Sequence, residues 1–302
     1  MFYRSLNSEL KELFGEKVYK IALDGGFTCP NRDGTCGNKG CIFCLGGSGD
    51  FAEKTHGDIF SQIETAKSRL KEKYKGNKFI AYFQSYTNTY GKIEKLRELF
   101  SKAISHPDVC ALSIATRPDC LPDDVISLLK ELNQIKPVWV ELGLQTIHPQ
   151  TAEYIRRGYD LQIYDESMKK LKDAGLYTVV HMIIGLPGET KEMILSTASY
   201  IGKSGANGIK LQLLHVLKGT DLEHDWKNKV FDTLSMAEYI DILEDCIRIL
   251  PPSIAIHRLT GDGNKKVLLS PLWSADKKTV MNEIKRRFEE DNVIQGEKYE
   301  IF

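Results

Sequence analysis

The feature that most constrains this chain is the stretch Cys29 to Cys44, which reads CPNRDGTCGNKGCIFC. It carries four of the seven cysteines, at positions 29, 36, 41 and 44. Cys41 and Cys44 form a CxxC pair, and Cys36 lies in the gap between Cys29 and that pair. The first residues, MFYRSLNSELKELFGEKVYK, lack the apolar core of a secretory signal. Clustered thiols in that context point to a metal or iron–sulfur site rather than a disulfide framework, and they fit a reducing cytoplasm. Thiolates are soft ligands, suited to zinc, copper(I) or iron–sulfur clusters. Two readings stand at this point. One is a closed, tetrahedral zinc knuckle using all four thiolates. The other is a cluster held by three cysteines, with one iron left open.

A chain of 302 residues suffices for one large barrel or two small domains. Lys+Arg and Asp+Glu both number 41, so there is no global basic signal for nucleic acid, although a local patch stays open. No apolar run reaches membrane-spanning length. Leucine spacing predicts a helix over 5–14, and a first strand over 18–23 leads into the cysteine loop. The glycines from Gly46 to Gly49 allow close backbone approach to a bulky group. A helix over 57–75 ends in Lys67, Arg69, Lys71, Lys73 and Lys75, either a solvated helix end or a phosphate-contacting patch.

From there strands over 79–83, 109–115, 138–142, 178–184 and 208–214 alternate with helices over 92–105, 122–133, 149–157, 161–174 and 190–204. Near-continuous apolar strands are those of a parallel sheet covered by helices. With the first strand this makes six βα-type units, and the economical reading is α/β, a partial (β/α)6 TIM-like barrel. Polar and glycine-rich residues follow each strand, on the edge that carries chemistry in such folds. Residues 216–302 read as a C-terminal α+β extension capping a 1–215 barrel, with helices over 235–249 and 276–290 and a short strand over 254–257. The last helix holds Lys277, Lys278, Lys285, Arg286 and Arg287, largely balanced by acids. Alternation places Lys210 and Gln212 on one face of their strand. Polar groups inside a barrel need partners or a task, and Lys210, Gln212, Tyr86 and His181 are candidates for substrate chemistry. A charged Lys210 suits a substrate carboxylate.

The motifs accumulate in one order: CPNRDG, YFQSYTNTY, TRPDCLP, HMIIGLPGE, LLHVLKGTDL and HRLTGDG. In that order the chain resembles radical S-adenosylmethionine proteins, most of all the YhcC/YtqA group, over nearly its whole length. The elongator catalytic subunit, a more distant relative, shares the expanded gap before the CxxC pair. The resemblance implies Cys29, Cys41 and Cys44 as ligands of one [4Fe–4S] cluster whose open iron chelates S-adenosylmethionine. Cys36 departs from relatives that lack a cysteine there. The resemblance also implies Gln145 and Arg157 at the methionine end. Gln84, Ser85 and Asn88 stand where many relatives carry GGE. Gly185, Leu214 and His215 fall near the adenine. Ala115 stands where some relatives place a glutamate. The activity implied is hydrogen abstraction by a 5′-deoxyadenosyl radical, on a tRNA wobble uridine in the YtqA branch, converting carboxymethylaminomethyl to aminomethyl. The partners implied are tRNA and a flavodoxin- or ferredoxin-type electron donor. Two alternatives remain: a small-molecule radical enzyme of porphyrinogen-oxidase type, and a non-catalytic iron–sulfur protein.

Overall fold

In the computed structural model, residues 2–46, 58–71, 74, 76–261 and 263–300 are described. Gly47, Gly49, Lys73, Lys75 and Asp262 therefore lie outside the described residues. The chain opens with helix α1 (Leu6–Phe14) and strand β1 (Tyr19–Leu23), and α2 (Ile59–Leu70) follows the cysteine loop. Then come β2 (Phe79–Phe83), α3 (Ile93–Ser105), β3 (Val109–Thr116), α4 (Asp123–Asn133) and β4 (Val138–Gln145). Next are α5 (Pro149–Tyr154), α6 (Leu161–Asp173), β5 (Tyr177–Ile184), α7 (Lys191–Lys203) and β6 (Gly208–Leu213). The remainder holds β7 (Val216–Leu217), α8 (Asp221–Lys227), α9 (Met236–Ile249), β8 (Ala255–Arg258), β9 (Leu268–Ser270) and α10 (Lys277–Glu290). Local signals set the helix ends. Ser5 caps α1 through Ser8 N, Gly15 closes it at φ 75°, and Ser235 with Glu238 forms a capping box on α9. Each such cap contributes about 1 kcal/mol.

The main sheet runs β1-β2-β3-β4-β5-β6-β8, and each neighbouring pair is parallel. It has seven strands, one more than the six units counted from the sequence. The extra one is β8, a four-residue strand whose apolar content gave no clue that its partner is β6. β8 is the short strand expected over 254–257, whereas the small β7–β9 ladder was missed, because strands of two and three residues carry no periodicity.

The sheet curls, and its side chains show this directly. The Lys20 ammonium of β1 lies 2.5 Å from one Glu141 oxygen, while Lys210 of β6 meets the other. In a flat sheet β1 and β4 would stand about 14 Å apart, at ~4.8 Å per strand. The convex face buries Leu23, Phe83, Leu112, Val140, Val180 and Leu211 against the helices. The floor of the concave side is closed by Leu10 of α1, which packs with Val18, Ile80, Ala111 and Trp139. Ile256 N donates to Arg4 O at 2.7 Å, pinning the segment before α1 to the β8 edge. Among the described residues, no helix is long and apolar enough to cross a membrane.

Candidate active site

The cysteine loop sits on the C-terminal ends of the strands. Ile42, inside the CxxC pair, packs with Ile155, Ile183, Leu186 and Leu214. Its amide donates to Ile155 O at 3.3 Å, and its carbonyl accepts from Leu222 N at 3.0 Å. Asn31 ties the loop to the turn after α5, donating to Arg156 O at 2.7 Å and Arg157 O at 3.1 Å, and to Cys41 Sγ at 3.5 Å. That close approach explains Gly158: a Cβ there would lie 2.5 Å from Asn31 Oδ1, and its φ is +81°. Arg32 spans the loop, donating to Cys44 O at 2.5 Å and packing against Gly40.

Burial, then the neighbouring Cys44 and, more weakly, Cys29, push the Cys41 thiol up to about 11. Cys41 thus senses both Cys44 and Cys29. Among the described residues, one trio of His, Cys, Asp or Glu ligand atoms gathers within 4.8 Å, namely Glu64, His106 and Asp108. The three thiols are therefore not all within 4.8 Å of one another. The Glu64, His106 and Asp108 group is already occupied by the Lys67 ammonium, which pairs with Glu64 at 2.7 Å and also meets Asp108. Cys36 is exposed and lines a separate groove with Pro30, Thr35 and Tyr90.

Around this loop the rim holds unusual backbone. Tyr86, Gln145 and Arg156 adopt φ of 64°, 69° and 57°. Such conformations cost about 1–3 kcal/mol each and persist where surrounding structure enforces them. The enforcement is visible at Gln145. The buried Arg157 guanidinium donates to Leu144 O at 3.3 Å and Thr146 O at 2.6 Å, one carbonyl on either side of Gln145. It also donates to Tyr159 O through two nitrogens, so Arg157 works on the backbone that holds Gln145. Gln145 Oε1 is buried and has no hydrogen-bond partner. A buried acceptor left this way calls for a donor such as an ammonium or hydroxyl of a bound molecule. The thiolate donor set and this acceptor together fit an iron–sulfur cluster with S-adenosylmethionine.

The other rim residues divide by role. Asn88 is fully buried and bridges Phe83 O at 3.1 Å and Ala115 O at 2.9 Å, joining β2 to β3, with its Oδ1 unmatched. Ser85 is buried beside it, and Tyr86 is exposed near Gly46. Gly185 has φ +88° and lies against Leu234, while Leu214 N donates to Ile184 O at 3.0 Å. Gly261 and Gly263 cradle the His215 ring: a Cβ on either would stand 2.7 or 2.9 Å from it. Gln212 is half-buried on the concave side, above Lys210.

Inside the barrel the structure brings together residues that the sequence left scattered. Glu141 is fully buried and accepts from Ser113 Oγ at 2.6 Å and Tyr82 Oη at 3.0 Å, and lies 2.7 Å from His181 Nε2. Lys20 and Lys210 complete the set. Burial alone would push the Glu141 carboxyl up, but the two ammoniums hold it well below the usual carboxylate range. Burial pushes the Lys210 ammonium down, against the pull of Glu141. Lys210 is therefore already paired rather than a lone cation. The sequence reading missed Glu141 and Lys20, although a lone acid in the apolar run VWVELGLQ was a signal.

Burial also pushes His181 and His257 down to about 4. Both stay neutral in the fold, while in the unfolded chain an imidazole takes its proton near pH 6.5. Between about pH 6.5 and 4 the unfolded state binds more protons, so stability falls as pH falls across that window. Melting temperature against pH checks this, with His257→Asn expected to flatten the slope. A melting temperature constant over that window would overturn it.

The Radical SAM superfamily profile matches residues 33–201, and the Radical_SAM C-terminal domain profile matches residues 206–290. The chain belongs to the radical SAM superfamily. Members use a [4Fe–4S] cluster and S-adenosylmethionine. This radical SAM chain is 45% identical to YtqA of Bacillus subtilis over 97% of its own length and 92% of the relative. It is 36% identical to YhcC of Escherichia coli, covering 94% of this chain and 92% of that one. A tRNA uridine(34) acetyltransferase of Methanocaldococcus jannaschii is 29% identical over 50% of this chain and 28% of that protein. In three dimensions the archaeal Methanocaldococcus infernus Elp3 superposes with a TM-score of 0.72 at 19% identity, over 92% of this chain and 64% of that one. That likeness supports the same curled half-barrel.

Proposed function

We propose that this radical SAM enzyme modifies a wobble uridine of tRNA, converting a carboxymethylaminomethyl group to aminomethyl. One hydrogen atom of the carboxymethyl carbon would go to the 5′-deoxyadenosyl radical, one electron back to the oxidised cluster and a proton to solvent. Water would hydrolyse the resulting imine to the amine and glyoxylate. The observation that carries the enzymatic part is that the loop bearing Cys29, Cys41 and Cys44 is tied through Asn31 to Arg157 O, while the Arg157 guanidinium braces the backbone of Gln145, whose buried acceptor is unmatched. Cys29, Cys41 and Cys44 would hold the cluster. Gln145, braced by Arg157, would receive the methionine end, with Gly185, Leu214 and His215 on the adenine side. The chemistry supplied there is reductive cleavage of S-adenosylmethionine, which yields a hydrogen-abstracting 5′-deoxyadenosyl radical. The remaining residues hold the loop, exclude water and position the substrate.

Kinship over half the chain with a tRNA uridine(34) acetyltransferase supports the tRNA assignment. The basic residues noted in the sequence lend little. Arg286 bonds Glu283 and Glu290, Arg287 bonds Asp241, and Lys67 is paired with Glu64 and Asp108. The reading is tested by deleting the gene and digesting bulk tRNA to nucleosides. Carboxymethylaminomethyluridine is expected to accumulate and aminomethyl-derived nucleosides to disappear, read by mass spectrometry. An unchanged nucleoside profile overturns it. An electron donor of flavodoxin or ferredoxin type is the partner this chemistry requires.

A further inference from the structure

Side-chain alternation sorts the inner wall of the barrel into three levels. The lowest is apolar, with Ile80, Ala111 and Trp139 above Leu10. The middle one is the Glu141 network, in which Lys20 and Lys210 are both paired with the one carboxylate. Two residues along from its members lies the upper level: Ala22, Gln84, Ala115, Gly143, Ile183 and Gln212. Barrel levels are ordinarily filled by bulky branched side chains. Here three of the six positions are alanine or glycine, and Ala22, Gln84, Gly143 and Gln212 stay partly open although they face inward. Their outward-facing neighbours Leu23, Phe83, Leu142 and Leu211 are fully buried. The upper level is therefore a hollow. A cavity of 360 Å³ between β1 and β8, lined in part by Ala22, Gln84 and Lys210, adjoins it. That volume exceeds the roughly 150 Å³ that holds a benzene-sized ring.

The hollow lies next to the thiol loop. Gln212 pairs in register with Ile183, and Ile183 packs with Ile42 between Cys41 and Cys44. Gly143 lies against the Gln145 side chain, since a Cβ there would stand 3.0 Å from Nε2. None of the six residues is ionisable, and the Lys20 and Lys210 charges beneath them are already matched. The polar side chains of this level are two amides, and the amide of Gln212 bonds no other described residue. Such walls disfavour a bare charge, which would shed its hydration without gaining a counter-ion. They suit a flat, neutral ring that carries a donor beside an acceptor, because one primary amide supplies the matching pair. The imide edge of a uracil has that pattern. A base reaches such a hollow by swinging out of its strand.

We infer that the upper level of the barrel receives the uracil ring extruded from the anticodon loop, and that Gln212 bonds its imide edge, accepting from N3–H and donating to O4. This rests on the wobble-uridine reading and names the residue that holds the ring. The test uses the cluster-reconstituted full chain and two anticodon stem-loop RNAs carrying carboxymethylaminomethyluridine at the wobble position, one of them methylated at N3. Binding is read by fluorescence anisotropy. The parent chain is expected to bind the unmethylated RNA about ten-fold more tightly. Gln212→Ala removes the amide and makes room for the methyl group, so it should bind both RNAs equally, at the weaker level. Its melting temperature should match that of the parent, because the amide has no partner in the fold to lose. Equal binding of both RNAs by the parent chain overturns the inference, and so does an undiminished preference in Gln212→Ala. Titration of the same variant with S-adenosylmethionine checks the competing role. Weaker cofactor binding with the RNA preference intact would assign the amide to the cofactor and overturn the inference as well. Turnover of the unmethylated RNA separates this claim from the reaction proposed above. A preference without conversion leaves the hollow standing and refutes the proposed step, whereas conversion without a preference does the reverse.

Discussion

Cys41→Ala is expected to abolish both iron uptake on anaerobic reconstitution and formation of 5′-deoxyadenosine from S-adenosylmethionine, whereas Cys36→Ser leaves both intact. Cys41 lies at the centre of the loop's bonding, with Asn31 Nδ2 at 3.5 Å and Arg156 O at 3.6 Å from its sulfur. Cys36 is exposed and faces another groove. Losing an outer hydrogen-bond partner of a metal ligand costs roughly 10–100-fold in affinity, and losing the ligand itself costs more. Iron and sulfide per chain, with deoxyadenosine counted by mass under dithionite, read the result. Retained iron in Cys41→Ala, or lost iron in Cys36→Ser, would mean that the ligand set is wrong. Stoichiometric zinc in place of iron would return the loop to a structural knuckle.

The second large effect lies below the cysteines. Glu141→Gln removes the carboxylate on which Lys20, Lys210, Tyr82, Ser113 and His181 converge. Breaking a buried ion pair from one side destabilises by about 3–5 kcal/mol, because the other charges stay behind unpaired. For a chain of this size that corresponds to a drop in melting temperature on the order of 10 °C. A urea titration should show a lower midpoint with an unchanged slope. A triple change, Glu141→Leu with Lys20→Met and Lys210→Met, should recover part of the loss, since apolar groups of similar volume replace all three charges without leaving one stranded. If Glu141→Gln melts within about 2 °C of the parent chain, the network is not a structural keystone.

Much of the fold was legible because its strands carry their own signal. Phe79–Phe83 was read with the observed bounds, and the other strands of the repeating region differ from their expected ends by one residue, except β4. That strand continues to Gln145 through a bulge at Gly143, a backbone irregularity that hydrophobicity does not encode. The cysteines were legible for a similar reason, since four thiols in one short stretch are a local pattern. Arg157 was legible as a motif residue but not as a brace, because its partners Leu144 O, Thr146 O and Tyr159 O are backbone atoms with no side-chain signature.

By itself, then, the sequence determined the order of strands and helices, the parallel character of the sheet and the thiol loop at its chemical edge. These follow from apolar runs, turn residues and cysteine spacing within a few residues of one another. Tertiary structure alone decided that β8 joins β6, that α1 closes the floor and that Asn31 seats the loop on Arg156. It alone decided that Lys20, Glu141 and Lys210 form one charged centre beside a cavity. Those residues are separated by more than a hundred positions from first to last, and only the curl of the sheet brings their side chains within bonding distance.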